Sequence, residues 1–105
     1  MFHPVRDDEL FGPVIPVFSF QKEHEAVQMA NQTPFGLGCS IWTGSREKAD
    51  RIAPRIDAGT VAVNGMVKSD PHLPFGGVKA SGYGRELSEI GMHEFLNIKT
   101  VSYFA

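Results

Sequence analysis

Apolar residues gather along this chain in three short, nearly unbroken runs. They are VIPVFSF at 14–20, LGCSIWT at 37–43 and TVAVNG at 60–65. Polar stretches separate them, and there the apolar positions recur every three or four residues. Consecutive apolar positions, rather than alternating ones, are the pattern of strands covered on both faces of a parallel sheet. Pro16 has no N–H to give to a ladder, so the first run belongs at an edge or at a strand start. The intervening stretches KEHEAVQMANQ and SREKADRIAPRIDA predict helices. In the second, Ala49, Ile52, Ala53 and Ile56 form one apolar stripe, while Arg46, Lys48, Asp50 and Arg51 face elsewhere. Ser45 is placed to cap its N-terminus and Gly59 to close its C-terminus in a left-handed turn. Pro54 removes a helix hydrogen bond and should kink or shorten the last turn. The sum is an α/β fold with a parallel β-α-β-α-β core, its crossovers normally right-handed.

The regularity stops after Asn64. Residues 65 to 84 hold nine Gly, Pro or Ser positions and no sustained period, which predicts a long irregular loop. A third helix is expected over GRELSEIGMHEFL, with Leu87, Ile90, Gly91 and Phe95 on one face. The closing KTVSYFA alternates and reads as a strand. Having no hairpin partner in this chain, it must find an edge elsewhere.

Composition narrows the function classes. A chain of 105 residues supports one core. Its formal charge of -2, with Lys and Arg scattered, gives no electrostatic footprint for nucleic acid. No apolar run approaches the ~20 residues of a membrane helix, and the opening MFHPVRDDEL lacks the layout of a signal peptide. A cytoplasmic setting is the expectation. Cys39 is the only cysteine, so no internal disulfide can form. His3, His24, His72 and His93 have no paired ligand spacing, and no metal is expected.

The stretch PFGGVKASGYGRE at 74–86 invites comparison with phosphate-binding loops. Gly77 and Gly82 have P-loop spacing, but Tyr83 and Gly84 stand where Lys and Ser or Thr are needed to reach phosphate and magnesium. A dinucleotide fingerprint fails too, because Gly82 and Gly84 are followed by Leu87 at the third position and no strand precedes them. Lys79 stands where a hydrolase elbow would need Gly before Ser81. The glycines therefore read as allowing close backbone approach in a tightly folded loop. Cys39, inside an apolar run, reads as a small buried hydrophobe rather than a nucleophile. Glu9, in DDELFGPV, reads on composition alone as a solvated acid.

Taken in order, ELFGPV, ANQTPFGLGCSIWT, AGTVAVN, PFGGVKASGYGRE and EFLNIKT resemble the carboxy-terminal portion of the aldehyde dehydrogenase superfamily. The run from Asn64 to Thr100 is most similar to bacterial succinate-semialdehyde dehydrogenases. The resemblance implies that Glu9 accepts hydrogen bonds from nicotinamide ribose hydroxyls and that Phe11 packs beside that ribose. It implies that Phe75 lines the substrate tunnel and that Ser69 holds the distal carboxylate of the substrate; Lys68 beside it either adds charge attraction or, the commoner case for a lysine, is simply solvated. A carboxylate suits a ribose diol because it only accepts, and a small hydroxyl leaves room while donating. The implied parent reaction oxidises an aldehyde, succinate semialdehyde above all, to the acid with NAD or NADP, through a cysteine thioester. The nucleophilic cysteine, the base glutamate, the oxyanion asparagine and the dinucleotide fold lie upstream of the matched motifs. Cys39 and Asn64 match none of them, so no catalytic residue is expected in this chain and it should be inactive alone. Residues 1–97 are expected to be a partial catalytic domain and 98–105 an oligomerisation strand of a homo-oligomer. The partners are then a small aldehyde and the remainder of the dehydrogenase chain. The alternative is a non-catalytic interaction domain that pairs through the same terminal strand.

Overall fold

The computed structural model describes residues 8–105; His3 and the opening seven positions read for a leader lie outside them. The first helix, α1, spans Glu23–Asn31. Its start is closed by Glu25, whose Oε2 accepts from the amide of the N-cap residue Lys22 at 3.2 Å and from the preceding Gln21 amide at 2.9 Å. Those two bonds, to Gln21 first, hold the Glu25 carboxyl below its ordinary pKa. The second helix, α2, spans Arg46–Ile52. Ser45 caps it as expected, with its Oγ accepting from the Lys48 amide at 3.2 Å. Pro54 also acts as expected. The α-helix stops at Ile52 and only a single 3₁₀ turn, Ala53–Arg55, continues it.

Two helix-to-helix ties follow from side chains rather than from apolar packing. Arg51 grips Glu23 through two donors, Nε at 3.3 Å and Nη2 at 2.7 Å, and Arg55 stands 3.7 Å from the same carboxylate. Asn31, at the end of α1, donates to the Arg55 carbonyl at 2.7 Å and accepts from the Asp57 amide at 2.9 Å. That pair fastens the chain leaving the 3₁₀ turn to the end of the first helix.

The strands form two small sheets. In one, β2 (Gly38–Ile41) lies parallel to β3 (Thr60–Val63), in register from Gly38 opposite Thr60 to Ile41 opposite Val63, with α2 as the crossover. In the other, β1 (Phe35–Gly36) pairs antiparallel with β4 (Val78–Lys79). The last helix, α3, is Ser88–His93. It is shorter than the pattern suggested because Leu87 and Ser88 take positive φ of 63° and 55°, which breaks any helix begun earlier.

Three expectations are corrected. The full β-α-β-α-β core is not formed, since residues 14–20 carry no strand and only the β2-α2-β3 unit is parallel. The closing segment likewise carries no strand. Both are apolar runs standing outside any sheet of the described residues, and a strand exists only with a neighbour to bond. Gly59 is not a left-handed helix terminator. A Cβ there would lie 1.7 Å from the Gly76 carbonyl oxygen, so the position is glycine because two backbones touch.

The unpaired runs leave apolar surface in water. Val27 and Ala49 are the buried apolar side chains among the described residues, while Ile15, Val17, Tyr103 and Phe104 are each at least 83% exposed. The accessible surface is 8725 Å², against roughly 5,800 Å² expected for a folded chain of 11.5 kDa. The radius of gyration, 17.9 Å, exceeds the ~13 Å of a compact chain of this length. Apolar faces of this kind lose free energy when another surface covers them.

Candidate functional site

The glycine-rich loop is closed by its own backbone hydrogen bonds. Phe75 and Glu86 exchange both backbone hydrogen bonds at 2.8 Å, closing residues 75–86 into a ring. Inside it the amides of Ala80, Ser81 and Gly82 donate to the carbonyls of Pro34, Val78 and Lys79. Arg85 fills the middle, its Nη1 donating to the Gly77 and Gly84 carbonyls at 2.9 and 2.6 Å. A phosphate cradle needs free N–H groups converging on an anion. This loop instead spends five of its amides on its own and neighbouring carbonyls and turns two carbonyls onto a guanidinium. It is a structural wall.

The wall is fixed to the β1 side by three contacts. The Gly36 amide donates to Ser81 Oγ at 3.0 Å, the Ala80 amide donates to the Pro34 carbonyl at 3.0 Å, and Lys79 Nζ donates to the Asn31 carbonyl at 2.7 Å. The last of these helps hold Lys79 at a φ of 55°, which a non-glycine residue adopts only when its surroundings over-determine it. The result presents Phe75, half-buried, on a cleft shared with Leu37, Ser81, Arg85 and Phe95.

Ser69 lies on the loop between β3 and this wall. It is exposed and makes no hydrogen bond among the described residues, leaving its hydroxyl available. The turn beside it is set by Asp70, whose Oδ1 accepts from the His72 amide at 2.9 Å and lies 3.1 Å from His72 Nδ1. Those bonds, the backbone one foremost, hold the Asp70 carboxyl below its ordinary pKa, with Lys68 adding attraction. Glu9 and Phe11 sit in the extended segment before α1, and both are exposed, Phe11 to 93%. Neither they nor Ser69 line the cleft that Phe75 lines.

The structure thus gathers Phe75 with Arg85 and the glycine ring and leaves Glu9 and Phe11 on a separate segment. Sequence reasoning missed the roles of Arg85, Asp70 and Lys79. Asp70 alone had a local signal, an Asp two residues before an amide it can reach past a proline. Cys39, in β2, is half-buried, and burial pushes its thiol pKa up, which agrees with a packing residue rather than a nucleophile. Among the described residues no cluster of His, Cys, Asp or Glu could hold a metal ion, and no helix is long and apolar enough to cross a membrane.

Comparison with known proteins gives this geometry its context. The chain is 50% identical over 98 residues to a probable NADP(+) succinate-semialdehyde dehydrogenase of Synechocystis, covering 93% of this chain and 22% of that protein. It is 55% identical over 94 residues to a succinate-semialdehyde dehydrogenase [NADP(+)] of Mycobacterium tuberculosis, covering 90% and 21%. Among solved structures, the succinic semialdehyde dehydrogenase of Streptococcus pyogenes in complex with NADP+ superposes with a TM-score of 0.85 at 44% identity, over 90% of this chain and 21% of that one. Betaine aldehyde dehydrogenase of Staphylococcus aureus superposes with a TM-score of 0.84 at 35% identity, over 97% and 22%. The chain therefore spans about a fifth of the length of the relatives it matches. The family model for the aldehyde dehydrogenase family matches residues 3–101, nearly the whole sequence, and the chain belongs to that family.

Proposed function

We propose that this chain is one part of an NAD(P)-dependent aldehyde dehydrogenase and supplies a wall of its substrate site rather than its chemistry. The parent reaction is oxidation of an aldehyde, succinate semialdehyde first, to the carboxylic acid. The observation that supports it best is the uncovered surface, about half as much again as a self-contained chain of this size exposes. Such a surface suits a piece that completes itself against the rest of a catalytic domain. In that role Phe75 forms an apolar wall, and Ser69 donates its hydroxyl to the far carboxylate of the substrate. A site that hydrogen-bonds a substrate group discriminates against analogues lacking it far better than an apolar pocket does.

A nicotinamide dinucleotide fits the chemistry of Glu9 and Phe11 but not their surroundings in this chain. The carboxylate can accept from a ribose diol and the ring can pack on it, yet both stand exposed on an extended segment with nothing enclosing them. Any closed cofactor site needs further polypeptide, and this chain alone performs no step on the cofactor. NADP+ is the form to test first because it is the one named for the relatives from Synechocystis and Mycobacterium tuberculosis. A cytoplasmic, homo-oligomeric enzyme belongs to the same proposal, with residues 1–97 in the catalytic domain and 98–105 pairing across subunits.

The test is complementation. The chain alone should reduce no NADP+ with succinate semialdehyde. Mixed with an amino-terminal aldehyde dehydrogenase polypeptide that carries the cysteine and the base, it should restore turnover. In the restored enzyme Ser69→Ala should raise KM for succinate semialdehyde and leave that for an uncharged aldehyde of similar length unchanged. Turnover by the chain alone, or equal effects of Ser69→Ala on both aldehydes, would refute the reading.

A second reading has its own observation. Ile98, Val101, Tyr103 and Phe104 are all exposed at the carboxy-terminal end. A strand-forming apolar segment left in water is a template for pairing with another chain. Under this reading the chain is a non-catalytic interaction domain. It predicts that deleting 98–105 abolishes self-association, whereas the dehydrogenase reading predicts restored turnover on complementation.

A further inference from the structure

Asn64 closes β3 and is followed by Gly65. Of the three asparagines, Asn31 precedes Gln32 and Asn97 precedes Ile98, so Asn64 alone stands before glycine. The Gly65 amide donates no hydrogen bond among the described residues, and a Cβ built at Gly65 would meet only the Val63 carbonyl oxygen, at 3.9 Å. That nitrogen is thus not held in any hydrogen bond of the described residues.

We propose that Asn64 is a self-modification site, opened and closed by its pairing with Thr43. The Gly65 nitrogen attacks the Asn64 side-chain carbonyl carbon, forming an N–Cγ bond. The Cγ–Nδ2 bond breaks, and the proton from the Gly65 amide leaves with the departing ammonia. Water then opens the resulting succinimide at either carbonyl, leaving aspartate or isoaspartate at position 64. The net change is amide hydrolysis, one water in and one ammonia out, and it needs no other reactant.

The folded chain holds this reaction back. Asn64 Oδ1 accepts from the Thr43 amide at 2.8 Å and Nδ2 donates to the Thr43 carbonyl at 2.9 Å. Both bonds must break before the side-chain carbon can turn toward Gly65. Once formed, the product cannot restore the pair. A carboxylate has no donor for the Thr43 carbonyl and sets an anionic oxygen against it, while isoaspartate adds a carbon to the backbone just where the loop to Ser69 begins. On the reading that Ser69 holds a substrate carboxylate, modification at Asn64 would loosen that grip. The modification itself does not depend on that reading.

Peptide mass mapping of the purified chain, held in mildly alkaline buffer with and without concentrated urea, tests the proposal. In urea Asn64 should convert over weeks while Asn31 and Asn97 persist. In buffer conversion should be slower by roughly tenfold or more, the protection that two net hydrogen bonds give when the reactive form is the open one. Gly65→Val places a branched side chain beside the attacking nitrogen in space the fold leaves open, and should suppress conversion in urea. Absence of Asn64 conversion in urea, equal rates in both solutions, or indifference to Gly65→Val would each overturn it.

Discussion

The Asn64 side chain pairs with the Thr43 backbone as a further rung of the β2–β3 ladder. Thr43 gives its amide to Oδ1 at 2.8 Å and receives Nδ2 on its carbonyl at 2.9 Å, while the Asn64 amide itself donates to the Ile41 carbonyl at 2.8 Å. The strand thus ends in a side chain that imitates backbone. Asn also tolerates the φ of 52° that turns the chain away at this point. Asn64→Ala should lose both advantages and cost about 2–3 kcal/mol, the sum of two net hydrogen bonds and a left-handed backbone. Asn64→Gly keeps the backbone freedom and loses only the pair, so urea denaturation should rank the parent above Gly and Gly above Ala. Equal losses for the two variants would show that the backbone conformation carries no cost.

Gly59 carries a harsher constraint. A methyl group there would sit 1.7 Å from the Gly76 carbonyl oxygen and 3.1 Å from the Gly77 Cα, and both are backbone atoms with nowhere to rotate. Gly59→Ala must push β3 away from the glycine ring. A loss above roughly 3 kcal/mol is expected, in the range where backbone displacement rather than a lost contact is responsible. Gly12→Ala is the control, because a Cβ there meets nothing within 4 Å. Thermal melting of the two variants should separate them clearly.

Gly59 also shows what could be read from sequence and what could not. Its presence at a segment end was legible, but its reason was not, because the atom it must avoid belongs to Gly76, distant along the chain. Ser45, Pro54 and the β2-α2-β3 unit were legible because a few adjacent residues decide them. The runs 14–20 and 98–105 have the composition of strands, and composition does not supply a neighbouring strand. Asn64 and Asn31 bond to backbone 21 to 26 residues away, and no local pattern marks which asparagine will do so. Of the site, Phe75 was placed on a cleft. Phe75, Glu9, Phe11 and Ser69 were all singled out by likeness to a family, and of the four only Phe75 lines that cleft.

Acid should weaken the chain through Glu23, Glu25 and Asp70. The Arg51 hydrogen bond lowers the Glu23 pKa, backbone amides lower Glu25, and the His72 amide and ring lower Asp70. A carboxylate with a depressed folded pKa stabilises the fold above its unfolded value and loses that contribution as pH falls through the folded one. The window therefore opens below 4.5 for the two glutamates and below 3.8 for Asp70. Glu23→Gln should be less stable than the parent at about pH 6, and the gap should narrow toward about pH 3 as the parent's own carboxylate is protonated. A gap that stays constant with pH would mean that the Arg51 pairing does not distinguish the charged carboxylate from the amide.

Burial governs the reactivity of Cys39. Its side chain is half-buried on β2, its Sγ has only the Ser40 carbonyl as a weak partner at 3.9 Å, and burial raises its pKa. The thiolate is the reactive form, so at neutral pH the folded chain should react with iodoacetamide more slowly than a free thiol, and urea should remove the difference. The sign with pH is fixed by the same cause, since the rate should rise at a more alkaline pH in the folded chain than in the unfolded one. Cys39→Ala should leave the fold in place at a cost of about 1 kcal/mol, the transfer value of one small half-buried group. Rapid alkylation of the folded chain at neutral pH would instead mark an activated thiol, against the upward shift that burial gives this one.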